Sequence, residues 1–142
     1  MFFKQKIFVA SFITLDIIAI FHYIGLKYEL YWKYGWYDIP MHILGGIWAA
    51  LFFLSAYAFF CRNVSIINYR KKIFLMVFLV LFFVTVGWEV FELWGGITFM
   101  SDKEYWFDAT KDIFDGYVGG MIACLFYLRN KKTTADLMSG RD

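Results

Sequence analysis

Ionisable residues recur at helical spacing in three stretches of this chain. Glu89 and Glu92 are three apart in GWEVFELWGG (87–96), and Asp38 and His42 are four apart in DIPMHILGG (38–46). Asp108, Asp112 and Asp115 form an i, i+4, i+7 stripe in DATKDIFDGYVGG (108–120). Such spacings put side chains on one face of a helix. Carboxylates with one imidazole are the donor set of a divalent-cation site. Oxygen ligands suit Mg²⁺ or Mn²⁺, and Zn²⁺ joins them if His42 ligates. Without a cation, carboxylates crowded into a poorly solvated layer must share protons.

The segments that carry these groups are made for lipid. The 142 residues are 61% hydrophobic and 24% aromatic. A soluble domain of that length cannot hide so much apolar surface. Four stretches, roughly 7–26, 41–60, 73–94 and 112–128, approach the ~20 helical residues that cross a bilayer core. The expectation is an all-α polytopic membrane protein. Its single domain, 1–128, is a small bundle of four transmembrane helices, and 129–142 is a disordered tail. Asp16 interrupts the first apolar run and no small-x-small cleavage site follows closely, so an uncleaved first span is expected.

Basic residues set the orientation. Lys4 and Lys6 precede span one; Arg62, Arg70, Lys71 and Lys72 lie between spans two and three; Arg129, Lys131, Lys132 and Arg141 follow span four. These are ten of the fourteen basic residues and include every arginine. The positive-inside rule then puts both termini in the cytoplasm and residues 27–40 and 95–111 outside. The expected location is a bacterial cytoplasmic membrane. Topology accounts for the lysines, and the net charge of +2 gives no reason to invoke nucleic acid. Cys61 and Cys124 form no CxxC pair and read as reduced packing residues.

Depth gathers the acids into one layer. At 1.5 Å per residue, Glu89 lies roughly 25 Å above Lys72, just inside the outer edge of a ~30 Å core. Asp112 reaches a similar height above Arg129, Asp115 lies one turn deeper, and His42 stands at the same boundary on span two. Asp16, near the middle of span one, is expected as a buried polar contact. His22 reaches toward the outer layer. Asp38 and Asp108 each precede an expected helix start, so helix capping explains them as well as chemistry does. Capping does not explain Glu89 and Glu92, which end a helix where the dipole disfavours anions. The aromatic stretch YELYWKYGWYD (28–38) reads as an interfacial belt, or as a lid over the site.

The glycines suggest how the helices meet. Residues 38–46 and 112–120 align without gaps at Asp, Ile, Gly and Gly. This points to two repeated helical hairpins, with descending helices able to approach closely through their double glycines. His42 is thereby brought near Asp112 and Asp115.

HILGG (42–46), GWEVFE (87–92) and DATKDIFDGYVGG (108–120) resemble the YjdF-like family of small bacterial membrane proteins, and more distantly the VanZ-like proteins. The resemblance covers roughly residues 38–120. It picks out His42, Gly45, Gly46, Trp88, Glu89, Glu92, Asp108, Asp112 and Gly119. Asp115 has no counterpart in it, and four spans are fewer than many members have. It implies the fold and the site more than any reaction.

Three functional readings stand open. In the first, His42, Glu89, Glu92 and Asp112 hold a metal, with Asp108 or Asp115 as general base, in an enzyme acting on a lipid or lipid-linked phosphate. In the second, the acids couple protons or cations to transport; in the third, they hold a lipid headgroup or stabilise the bundle of a binding or assembly protein. Partners are membrane lipid, a lipid-linked substrate and a second copy of the chain. The orientation is testable by itself. Single cysteines at positions 34 and 103 should react with an impermeant maleimide from outside, and those at 68 and 134 only after permeabilisation. The opposite pattern at any position overturns the layout.

Overall fold

Each expected span is helical, and each helix outruns its apolar stretch. The computed structural model describes residues 2–60, 69–96 and 105–139, with side chains for 5–60, 69–96 and 105–130. Helix α1 covers Phe2–Lys27, α2 Leu30–Lys33, α3 Asp38–Phe60, α4 Tyr69–Gly95 and α5 Tyr105–Ser139. Among the described residues, α1, α3 and α4 are long and apolar enough to cross a membrane. The fourth expected span, 112–128, is the middle of α5. Asp112, Asp115 and polar flanks dilute its apolar run. Helix α5 also continues into the stretch expected as a disordered tail. Residues 131–139 contain no glycine or proline to stop it, and Gly140 follows its last helical residue.

Helix ends follow from local chemistry. Glu29 takes a left-handed backbone (φ 56°) that breaks α1 from α2, and Lys33 holds that turn through the Tyr28 carbonyl (3.0 Å) and the Glu29 carboxylate (3.4 Å). Pro40 lies in the first turn of α3, where its missing N–H costs no helical bond. Gly96 (φ 62°) ends α4 with its N–H on the Leu93 carbonyl. That stop leaves Glu89 and Glu92 in the last two turns of the helix.

The bundle is built on α3. It packs most extensively against α5, then against α1 and α4, and α4 also packs on α5. Glycine makes the α3–α5 contact possible. A Cβ on Gly46 would sit 1.9 Å from the Gly116 carbonyl oxygen, and one on Gly119 would sit 1.9 Å from that of Ile43. The two backbones therefore touch, as small residues allow in a membrane where dispersion rather than water drives association. The aligned glycines are not used alike, since a Cβ on Gly45, the counterpart of Gly119, would meet nothing within 4 Å.

Polarity divides the bundle lengthwise. We call the end holding the α1–α3 connection the loop end, and the other the terminal end. The terminal half is filled by Ile7, Leu54, Ile73, Val77, Leu81 and Cys124. Cys124 is a buried free thiol, which fits a packing role, and Cys61 lies outside the described residues. At the loop end, Tyr31 and Tyr37 close over Gly25. Tyr31 shares a 2.8 Å hydrogen bond with His22 Nδ1, and Tyr37 donates to the Phe21 carbonyl at 2.7 Å. The aromatic stretch is thus folded back onto α1, with Trp32, Tyr34 and Trp36 left outward.

One expectation fails. Asp16 is exposed on α1 rather than buried. The face of α1 that meets α3 carries Ile7, Ser11 and Thr14, and Asp16 lies on the other side.

The glycine contact makes a prediction with two signs. Gly46→Ala and Gly119→Ala should each lower stability by about 1–3 kcal/mol, the usual cost of overpacking. Gly45→Ala should be neutral or raise it by up to ~1 kcal/mol, because alanine favours the helix. Thermal melts in detergent distinguish them.

Candidate functional site

Three helices deliver polar side chains to the space between α3, α4 and α5 at the loop end. Asp38 opens α3 and His42 follows one turn later. His42 Nε2 lies 3.2 Å from Asp38 Oδ2 and 3.7 Å from Asp112 Oδ2 of α5. One donor atom from each of these residues falls within 4.8 Å of the other two. Donors about 2.1 Å from a common ion stand about 3.0–3.4 Å apart, so the two imidazole–carboxylate separations are near those of a ligand shell. Among the described residues this is the one group with such geometry.

Asp112 is divided between two roles. Its Oδ2 faces His42, while its Oδ1 accepts from Lys111. Lys111 also reaches Asp108 Oδ1 at 3.2 Å, one turn earlier on α5. Burial disfavours the Lys111 ammonium, but Asp112 and Asp108 outweigh it, and its pKa lies above the ordinary lysine value. Lys111 therefore remains a cation that neutralises one edge of the site. Asp108 sits inside the first turn of α5 rather than before its start, because the helix begins at Tyr105.

Glu89 enters from α4. It is buried, its Oε1 has no hydrogen-bond partner among the described residues, and the charges that bear on it are Glu92, His42, Asp112 and Asp38. The Tyr105 hydroxyl donates to its backbone carbonyl (3.2 Å), which ties the start of α5 to the end of α4. Glu92 is half-buried and accepts a 2.8 Å bond from Trp88 Nε1. Asp115 is half-buried as well, with a sealed Oδ2 that has no partner among the described residues. An orphaned carboxylate oxygen in a sealed interior is costly unless a proton or cation completes it.

The structure thus brings together His42 and Asp112 and adds Asp38. Glu89 stands beside the triad, within its electrostatic reach. Glu92 is held at the rim by Trp88, and Asp108 is engaged by Lys111. Asp38 was legible as a partner of His42 from its i, i+4 spacing, but its place before an expected helix start suited a cap equally well. Lys111 carried a signal too, being adjacent to one acid and three residues from another. Tyr31, in the α1–α3 connection, lies within electrostatic range of Asp38 and Glu92. Its phenol pKa is raised by burial and by the neighbouring Asp38, Tyr37 and Glu92, so it stays protonated.

A family described as predicted membrane protein (DUF2238) matches residues 3–133. The chain belongs to this family. No curated protein and no solved structure matches the chain. The match spans all three polar stretches, so the site is part of the family's own region.

The contacts can be checked energetically. His42→Gln and Asp38→Asn, made singly and together, should show a coupling of at least ~0.5 kcal/mol, as residues in one hydrogen-bonded network do. His42→Gln and Glu29→Gln share no partner and should add within about 0.5 kcal/mol. Melting of the single and double variants measures both.

Proposed function

We propose that the chain is a four-span protein of the bacterial cytoplasmic membrane, YjdF-like within its family, with both termini inside. We propose further that it is a metal-dependent enzyme acting on a phosphorylated lipid at the outer leaflet. The observation that carries the reading is the Asp38–His42–Asp112 triangle. Two oxygens and one imidazole nitrogen suit Mn²⁺ or Zn²⁺, and Mg²⁺ less well. Glu89, with a free buried oxygen beside the triangle, is the fourth ligand that best fits the donor set. A divalent ion held there supplies Lewis acidity toward a phosphoryl oxygen.

The chain's own residues supply the rest. Lys111 offers a point charge to a phosphate, the only such cation among the described residues that touches the site. Asp115 shares a face of α5 with Asp112 and keeps one carboxylate oxygen unengaged, which suits a general base better than the ion-paired Asp108. Glu92 and Trp88 form the rim toward lipid. The transport reading loses its inward step, because Asp16 faces away from α3 and the interior below the site is filled by Leu81, Val77 and Leu54.

Metal binding to the folded state should raise its stability by RT ln(1 + [L]/Kd), about 2.7 kcal/mol at a hundredfold excess over Kd. Purified protein melted in EDTA and then with Mg²⁺, Mn²⁺ or Zn²⁺ should show that increment for at least one ion. Asp112→Asn and His42→Gln should each remove it, and Glu92→Gln should leave most of it. No shift with any of the three ions sinks the metal reading. If metal binds but phosphorylated lipid in vesicles is not turned over, only the enzyme reading fails.

A further inference from the structure

Helix α1 carries two seams. The first, through Ile7, Ser11 and Thr14, faces α3. The second runs through Val9, Ile13, Asp16, Ile20 and Tyr23, with steps of four, three, four and three. That is the 3.5-residue repeat with which one helix packs along another. On a helical wheel the two seams lie on nearly opposite sides. The apolar members of the second seam are 53–64% exposed, against 37–39% for the flanking Leu15 and Ile17. Three of its five members are β-branched, as in the cores of paired helices.

At its centre stands a carboxyl group. Asp16 is ten residues from Lys6 and eleven from Lys27, about 15–17 Å from each, which places it near the bilayer midplane. It is exposed and has no partner among the described residues. An unpaired acid at that depth is costly and calls for a partner. Among the described residues, the side chains exposed midway along α4 and α5 are apolar, with Phe82, Phe83, Ile122 and Leu125 among them. Copies of one membrane protein share one orientation, and a two-fold axis along the membrane normal sets each residue opposite itself at equal depth. Such an axis through this seam pairs β-branched with β-branched residues, and carboxyl with carboxyl. Acidic groups within membrane spans commonly pair with one another. A single polar residue in an apolar seam also fixes the register of the pair.

We propose that this chain forms a parallel, two-fold symmetric dimer through the outer seam of α1, with Asp16 of each copy facing Asp16 of the other. The proposal does not rest on the metal site. Full-length protein with Cys61→Ser and Cys124→Ala tests it, carrying single cysteines in turn at positions 9, 13, 20 and 23 and at the flanks 15 and 17. Oxidation in native membranes should give disulfide-linked dimer at the four seam positions, about tenfold above the flanks. Asp16→Lys should abolish self-association, since two ammonium groups cannot share the site. The same variant co-expressed with the parent should form a mixed dimer through an Asp–Lys pair. Positions 9, 13, 16, 20 and 23 are exposed on α1, so substitutions there leave its packing on α3 intact. Equal cross-linking at seam and flank overturns the proposal. So does an Asp16→Lys variant that dimerises like the parent, or a different membrane protein recovered cross-linked to the seam.

Discussion

The contact between the backbones of α3 and α5 governs the rest of the molecule. Gly46 lies on the Gly116 carbonyl and Gly119 on that of Ile43, and neither approach leaves room for a Cβ. Ile43 adjoins His42, and Gly116 is one turn beyond Asp112. The backbone separation at this crossing is therefore also what sets the distance from imidazole to carboxylate. A larger residue at either glycine would move Asp112 away from His42 as well as loosen the bundle. Stability and site geometry rest on the same few atoms.

Around that crossing the bundle sorts its side chains by polarity along the axis. The terminal half is closed by a cluster that is mostly aliphatic, with Tyr57, Cys124 and Tyr127 in it. The loop half collects carboxylates from three helices with one lysine and one histidine among them. The charge imbalance is the site's dominant feature: Asp38, Asp112, Glu89 and Glu92 act on a space whose fixed cation, Lys111, is engaged at one edge. A low-dielectric interior magnifies that imbalance. It makes that space favour a cation over an anion.

Much of this arrangement was legible in the sequence, and the limits have identifiable causes. The apolar runs located α1, α3 and α4 to within a few residues, because lipid demands long uninterrupted helices. The double glycines pointed to the α3–α5 approach, and through it to the meeting of His42 and Asp112. Which glycines touch was not readable, since that depends on crossing geometry: Gly116 proved to be a contact and Gly45 did not. Asp38 was ambiguous because a residue that starts a helix can cap it and still reach one turn forward. Asp16 was misplaced because the pattern of apolar residues in a span does not tell a buried face from a lipid-facing one when both are apolar. The start of α5 at Tyr105 escaped for a similar reason. Its first turns are polar and aromatic, and an apolar window passes over them.

The central claim is that α3 and α5 together present one imidazole and at least two carboxylates to a single ion. Pulsed electron paramagnetic resonance of the protein loaded with Mn²⁺ measures this directly, through the modulation produced by ligating nitrogen. The account predicts coupling to one imidazole nitrogen, lost in His42→Gln and lost or displaced in Asp112→Asn. A bound ion with only water and carboxylate around it, or a nitrogen signal that survives His42→Gln, would contradict it.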